Sequence, residues 1–183
     1  MKIADIISCL VFNIKALKTK VKSPKSHFGI KGRCARTGDF RCKGNGIIKA
    51  DNFILRSNCH IEASGVIEIG DKTFFNYNCI VVARGAIKIG ERCSFGPNVS
   101  IYDHDHKFGP RGQIHGEYNV GEIHIGNNVW CGANTIILRN TRIGNNCVIG
   151  AGSIIKGDIP DNSIVMSSKN TVVERLGRDT KNG

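Results

Sequence analysis

The sequence predicts an all-β protein: a parallel β-helix wound from six-residue repeats, with a short N-terminal helical segment and one extruded loop. Apolar residues recur at every sixth position over most of the stretch from residue 55 to residue 155, with two slips. A period of six fits neither the α-helix nor a long alternating strand, and is typical of short strands joined by tight bends. The repeat positions are Leu55, Ile61, Ile67, Ile69, Phe75, Val81, Ile87, Ile89, Phe95, Ile101, Ile125, Cys131, Ile137, Ile143, Ile149 and Ile155.

Glycine follows the apolar residue at positions 70, 90, 96, 126, 132, 144 and 150. We expect each hexad to form one side of a triangular coil, with side chains stacked inward about 4.8 Å apart from coil to coil. We assign the glycines to the bends, because glycine adopts a positive φ without a Cβ penalty. A sandwich with glycine-rich turns is disfavoured, since its strands would recur every ~8–12 residues.

The chain is expected to divide into a basic, partly helical N-terminal segment (1–45), the repeat domain (46–166) and a C-terminal tail (167–183). Residues 1–50 carry 12 Lys and Arg against Asp5 and Asp39, so +10 of the net charge of +11 lies there. No nucleic-acid-binding motif with interleaved aromatics accompanies this charge, so no nucleic-acid partner is predicted. An anionic membrane surface or a phosphorylated ligand is favoured instead.

Residues 3–17 have apolar residues at helical spacing, and several lysines follow them. Two interpretations stay open. One is a helix that caps the open end of the coil, as solenoids require. The other is an amphipathic helix through which residues 1–25 rest on an anionic membrane. The sequence has no apolar run of roughly 18 residues and no CxxC pair among its eight cysteines, so we predict a cytoplasmic location, with peripheral contact to the inner face of the cytoplasmic membrane as the further option.

The repeat is interrupted between about residues 103 and 122. The interval from Ile89 to Ile125 is nearly twice that from Ile69 to Ile89, so one coil extrudes a loop. Loops on rigid scaffolds are frequent sites of binding and catalysis, and histidine is well suited to accept a proton from a hydroxyl near neutral pH. The loop histidines are His104, His106 and His115. Zinc binding by His104 and His106, and simple solvation of the loop histidines, are the alternatives; no metal is predicted to be required.

Residues from about 46 to 166 resemble the hexapeptide-repeat acyltransferases. The stretch from Ile125 to Pro160, IGNNVWCGANTIILRNTRIGNNCVIGAGSIIKGDIP, closely resembles the galactoside and maltose acetyltransferase branch. The resemblance implies a left-handed β-helix, a homotrimer with active sites between subunits, and acetyl-CoA as the co-substrate.

The resemblance also implies roles for residues on the acceptor side. His106 takes the place of the catalytic histidine, counted without a gap from Gly96-Pro97-Asn98. Asn76 matches an asparagine that contacts the acceptor, and Asp103 is expected to bind the acceptor as well. Glu117 falls where members of the family carry a loop glutamate near the histidine, with an orienting role and a solvated surface acid as equal alternatives.

On the donor side, five residues are expected to bind the coenzyme. Ala133 and Ala151 match positions along which the family binds the pantetheine arm, and Trp130 would border that channel. Lys156 and Arg175 are candidates for phosphate contacts, with the lysine one place earlier than in the family.

The reaction implied is O-acetyl transfer to a sugar hydroxyl, with surface-polysaccharide or glycolipid assembly as the expected setting. His106 would take the hydroxyl proton while the oxygen attacks the thioester directly. Backbone N–H groups near Trp130–Ala133 are the expected oxyanion donors. Cys131 fills an inward slot and is interpreted as core rather than as a nucleophile. Two other functions stay open: an N-acyltransferase acting on an amino sugar, and a non-catalytic trimeric scaffold.

Overall fold

The computed structural model describes residues 3–166, which form one helix and twenty strands. The predicted tail (167–183), including Arg175, lies outside the described residues. The elements in chain order are α1 (Ile3–Lys22), β1 (His27–Phe28), β2 (Arg33–Cys34), β3 (Asp39–Cys42), β4 (Ile47–Ala50), β5 (Ile54–Leu55), β6 (His60–Ala63), β7 (Val66–Ile69), β8 (Phe74–Phe75), β9 (Ile80–Ala83), β10 (Ala86–Ile89), β11 (Ser94–Phe95), β12 (Ser100–Tyr102), β13 (His104–Gly109), β14 (Gly112–Val120), β15 (Glu122–Ile125), β16 (Trp130–Cys131), β17 (Ile136–Ile143), β18 (Val148–Ile149), β19 (Ile154–Ile159) and β20 (Ile164–Val165).

The strands wind around three faces of a parallel coil about seven turns high. Face 1 holds β1, β4, β7, β10, β15 and the second halves of β17 and β19. Face 2 holds β2, β5, β8, β11, β16, β18 and β20. Face 3 holds β3, β6, β9, β12 and the first halves of β17 and β19. The predicted parallel β-helix is confirmed; its left-handed sense stays an expectation from the resemblance.

The core is a stack of the repeat positions. All of the apolar positions named from the sequence are buried, and equivalent residues pair from coil to coil, as Ile67 does with Ile87 and Ile87 with Ile123. The rings of Phe75 and Phe95 stack with centroids 4.8 Å apart. The six-residue period therefore corresponds to the inward-facing side chains, because each coil places one buried residue at the same position on each face.

The glycines after the apolar residues are needed for space, so their assignment to a positive φ is wrong. A Cβ on Gly132 would lie 2.5 Å from the backbone nitrogen of Ala151, and one on Gly96 would lie 2.7 Å from that of Ala133. Neither glycine has a positive φ. The neighbouring coil approaches so closely that it excludes any side chain at these positions.

Asparagine occupies most of the left-handed bends. The corner between faces 2 and 3 has Asn78, Asn98 and Asn134 at φ values of 61, 59 and 60°. Asn tolerates this conformation better than most residues. The side-chain amides also form a ladder, since Asn78 donates to Asn98 at 3.1 Å and Asn98 donates to Asn134 at 3.0 Å.

The coil begins closer to the N-terminus than residue 46, because β1, β2 and β3 already pair in parallel with the coil above them. A search for apolar residues at every sixth position does not detect this first coil, because the number of residues from it to the second coil differs from that of the next step. Arg33 pairs with Ile54 in the next coil, and that step along the chain is longer by a single position than the step from Ile54 to its partner Phe74.

Helix α1 closes the open end of this first coil. Phe12 is fully buried, and its ring packs against those of Phe28, Phe40 and Phe53 at centroid distances of 6.4, 5.5 and 5.1 Å. Thr19 Oγ1 donates to the Phe40 carbonyl at 3.1 Å. The capping interpretation is therefore confirmed. No helix among residues 3–166 is both long and apolar enough to cross a bilayer.

Substitutions of the glycines and of the asparagines at the corners should lower the free energy of unfolding by different amounts. Gly132→Ala should destabilise the fold by about 1–3 kcal/mol, since the added methyl overpacks the next coil. Asn134→Gly keeps the left-handed bend and loses the hydrogen bond from Asn98, so it should cost about 1 kcal/mol or less. Urea unfolding of both variants measures the difference, and equal midpoints would contradict this account of the glycines.

Candidate active site

The extruded segment is an antiparallel hairpin of β13 and β14 that leaves the corner between faces 3 and 1. The bond from the Gly121 N–H to the Asp103 carbonyl, 2.8 Å long, closes its base. The register pairs His104 with Val120 and His106 with Tyr118, and shifts between His106 and Phe108. The hairpin thus carries two of the three loop histidines on one strand, two positions apart.

Asp103 anchors the hairpin to the coil below. Its side chain is fully buried, and its two carboxylate oxygens accept hydrogen bonds from the backbone N–H groups of Arg84 and Gly85, both at 2.8 Å. His104 Nδ1 lies 3.0 Å from the same carboxylate. Both carboxylate oxygens are therefore occupied by hydrogen bonds within the protein, which argues against the predicted contact of Asp103 with an acceptor.

A second acidic residue fixes the hairpin to the coil above. Asp105 accepts a hydrogen bond from Arg139 Nε at 2.5 Å, and Arg139 belongs to β17 in the following coil. In the sequence Asp-His-Asp-His at 103–106, the two aspartates therefore bond to residues of the coil. The two histidines lie on the first strand of the hairpin.

His106 is exposed, and two hairpin residues hold its ring. The side-chain amide of Gln113 lies 2.8 Å from His106 Nδ1. The ring of Tyr118 lies 4.8 Å from that of His106, tilted by 42°. The facing atom is the Gln113 amide nitrogen, and its donation to Nδ1 would place the imidazole proton on Nε2. With the amide turned by 180°, its oxygen accepts the Nδ1–H, and His106 Nε2 keeps the lone pair that a general base needs.

Arg84 also contacts the Tyr118 ring. Its guanidinium carbon lies 3.4 Å from the ring centroid, a cation–π contact, so Tyr118 contacts both Arg84 and His106. No sequence pattern indicated these residues, since Gln113 and Tyr118 reach His106 through the hairpin register and Arg84 reaches Tyr118 through the coil stacking.

Glu117 does not reach His106. Its carboxylate pairs with Lys107 Nζ at 2.8 Å, and both side chains are about half exposed. Glu117 and Tyr118 are consecutive in β14, so their side chains point to opposite sides of the hairpin. In this chain the contact with the imidazole is made by Gln113 instead of Glu117.

Asn76 and most of the predicted donor residues lie at the corner between faces 2 and 3. Asn76 follows β8 and Ala133 follows β16, while Ala151 stands at the same corner one coil above Ala133. Trp130 lies on face 2 just before this corner, with 57% of its surface exposed. These four residues share one edge of the coil.

The other predicted donor-site groups, two basic side chains and the backbone N–H groups near Trp130, do not all lie at this edge of the coil. Lys156 is exposed on β19 in the last coil, and Arg175 lies outside the described residues. The backbone N–H groups of Trp130 and Gly132 donate to the carbonyls of Cys147 and Ile149 at 2.9 and 2.7 Å. Those two N–H groups are therefore already used by the coil and are poor oxyanion donors.

The chemistry of the other candidates is limited by burial and spacing. Cys131 is fully buried, and burial raises the pKa of its thiol, so it stays protonated and inert at neutral pH, as the core interpretation requires. Within residues 3–166, no group of three or more His, Cys, Asp or Glu side chains is placed to hold a metal ion.

The predicted site is therefore divided between two corners of a single chain. His106 belongs to the corner between faces 3 and 1, whereas Asn76, Ala133 and Ala151 belong to the corner between faces 2 and 3. The width of face 3 separates the two groups.

Comparison with known proteins agrees with the repeat and the fold. The family model of the bacterial transferase hexapeptide (six repeats) matches residues 122–157. A putative acetyltransferase of Saccharomyces cerevisiae is 31% identical over 126 residues, which are 69% of this chain and 64% of the relative. The galactoside O-acetyltransferase of Lactococcus lactis is 40% identical over 81 residues, 44% of this chain and 39% of the relative. The crystal structure of a maltose O-acetyltransferase from Clostridium difficile matches with a TM-score of 0.53 at 35% identity, over 61% of this chain and 60% of that one.

The six-residue repeat and the coil built from it are both features that this chain shares with these proteins. The chain is similar to hexapeptide-repeat acetyltransferases in sequence and in fold. It spans less than two thirds of the curated relatives it matches. The similarity covers the repeat and the fold, while activity, acceptor, donor and assembly need arguments from the residues of this chain.

The anchoring role of Asp103 is testable by stability. Asp103→Asn has one acceptor oxygen for the N–H groups of Arg84 and Gly85, so one of them loses its partner, at a cost of about 1–3 kcal/mol. Glu117→Gln removes only an exposed ion pair and should cost about 1 kcal/mol or less. Urea unfolding compares the two, and a neutral Asp103→Asn would show that the carboxylate is free for another role.

Proposed function

We propose that the protein is a cytoplasmic O-acetyltransferase that transfers acetyl from acetyl-CoA to a sugar hydroxyl, in surface-polysaccharide or glycolipid assembly. The observation that carries the proposal is the setting of His106. Gln113 contacts Nδ1 and Tyr118 contacts the ring, while no residue among 3–166 bonds to Nε2. An exposed imidazole held on one side is arranged to take a proton on the other.

The proposed reaction has a single displacement. His106 Nε2 accepts the proton of the acceptor hydroxyl as that oxygen bonds to the thioester carbonyl carbon. The tetrahedral intermediate then collapses, the carbon–sulfur bond breaks, and the imidazolium returns the proton to the leaving thiolate. No covalent enzyme intermediate is required, which agrees with the burial of Cys131.

The donor is proposed to lie along the corner between faces 2 and 3. Ala133 and Ala151 stand one coil apart at this edge, and neither is buried, so a slim pantetheine arm can lie along the outer surface beside their small side chains. The exposed face of Trp130 would border the arm, and Lys156 would supply positive charge toward the phosphates. Arg175 remains a prediction for the same role.

We also propose that the active unit is a homotrimer whose sites lie between chains. A site that uses both His106 and Asn76 needs the hairpin of one chain beside the corner of another. In the coils above the second, the outward side chains of faces 2 and 3 are mostly apolar, whereas face 1 carries more charge. The outward apolar residues are Ile54, Phe74, Trp130, Val148 and Ile164 on face 2 and Ile80, Val82, Tyr102, Ile136, Leu138 and Ile154 on face 3, beside the polar Arg33 and Ser94 on face 2 and Asp39, Arg41, His60, Glu62, Ser100 and Lys156 on face 3. Face 1 has Lys49, Glu68, Lys88, Glu122, His124, Arg142 and Asp158 beside Ile47, Val66 and Ala86.

The cytoplasmic assignment is supported by the thiols. All eight cysteines are free, and six of them are buried in the coil. Unpaired thiols at this density suit a reducing compartment.

Thiol release from acetyl-CoA, measured with a panel of hydroxylated and aminated sugars, tests the proposed reaction. His106→Ala should slow transfer to the best hydroxyl acceptor about 10²–10⁴-fold, as expected for loss of a general base. His115→Ala is the matched control, because His115 is an exposed residue of the same hairpin, and it should keep the wild-type rate. An unchanged rate in His106→Ala would overturn the assignment, and transfer confined to amines would favour an N-acyltransferase.

A further inference from the structure

Helix α1 has a second apolar face that its capping role does not use. Phe12, Ala16 and Thr19 form the face buried on the first coil. On the other side the helix exposes a continuous stripe of large apolar residues. The stripe consists of Ile3, Ile6, Ile7, Leu10, Ile14, Leu17 and Val21.

The stripe points away from the rest of the molecule. With about 100° of rotation per residue, its members cluster around a direction nearly opposite to that of Phe12, Ala16 and Thr19. The buried face contacts β1, β2 and β3, which are the three sides of the first coil. The stripe therefore faces outward along the coil axis, where chains that meet side by side through faces 2 and 3 do not cover it.

Lysines flank the stripe on both sides. Lys18 and Lys22 project on one edge and Lys20 on the other, all exposed, and Lys25 follows the helix. The one acidic residue of α1, Asp5, is paired with Arg33 at 2.9 Å. An apolar stripe bordered by lysines matches the surface of an anionic bilayer, in which the apolar residues enter the acyl region and the ammonium groups remain among the lipid phosphates.

We propose that α1 docks the protein peripherally on an anionic phospholipid membrane, with the apolar stripe inserted and the coil axis directed away from the surface. A second copy of the chain is a poorer occupant, because pairing two stripes would bring their lysine borders together. The hairpin leaves the fourth coil, about three spacings of roughly 4.8 Å above the first. His106 would then lie close enough to the surface to meet an acceptor sugar attached to a lipid.

Sedimentation of the full chain with vesicles tests this docking. Wild type should sediment with vesicles that contain phosphatidylglycerol and far less with pure phosphatidylcholine, and added salt should weaken the binding. The Leu10→Gln/Leu17→Gln variant keeps good helix formers and removes two exposed apolar side chains. It should lower the bound-to-free ratio at least about tenfold. Lys18→Gln/Lys20→Gln/Lys22→Gln should lower binding to the anionic vesicles selectively.

Phe108→Ser is the control, since Phe108 is exposed at 76%, somewhat more than Leu10 at 60% and Leu17 at 65%, but lies on the hairpin; its binding should equal that of wild type. Failure of wild type to sediment with anionic vesicles, or undiminished binding of the leucine variant, would overturn the proposal. Loss of oligomeric mass in the leucine variant, without vesicle binding by wild type, would instead assign the stripe to contacts between copies. Acetyl transfer to a soluble sugar, measured in the same variants, keeps this outcome separate from that of the proposed reaction.

Discussion

The close stacking of one coil on the next is the constraint on which the rest of the structure depends. Each coil donates backbone hydrogen bonds to its neighbour at nearly every position along the faces, commonly at 2.8–2.9 Å. At that separation, a side chain can point inward into the core or outward, but none fits where Gly96 and Gly132 approach the coil above. Left-handed bends at asparagine turn the chain between faces without breaking the stack. An insertion can be accommodated only at a corner, which is where the hairpin leaves.

The same constraint explains which parts of the fold could be predicted. The inward positions were predictable because burial demands apolar residues such as Ile67 and Ile87 at a fixed spacing. The bends were predicted wrongly, since both Gly and Asn suit tight corners and only the backbone geometry separates steric exclusion from a positive φ. The first coil was missed because its step to the second coil is longer by a single position than the step from the second coil to the third, although Phe40 and Cys34 fill its interior.

The candidate site was less predictable than the fold. A family resemblance singled out His106, but its partners Gln113, Tyr118 and Arg84 depend on the hairpin register, which shifts within β13, and on the neighbouring coil. No local pattern encodes either of these. Asp103 was expected to bind the acceptor on the strength of its position, whereas its burial and its two backbone donors come from the tertiary structure. The rigid coil thus fixes the base of the hairpin, and the hairpin residues set the position of the imidazole.

The proposed catalytic group and the proposed acceptor-binding group lie at different corners of one chain. The proposed reaction therefore requires that chains assemble. The central claim is that each active site combines His106 of one chain with Asn76 of another. Two inactive variants, His106→Ala and Asn76→Ala, can be unfolded and refolded together in equal amounts, and acetyl transfer by the mixture compared with each variant refolded alone. Random assembly of trimers should restore about a quarter of the wild-type sites, since each variant supplies the group that the other lacks. A mixture no more active than the separate variants would contradict a site shared between chains.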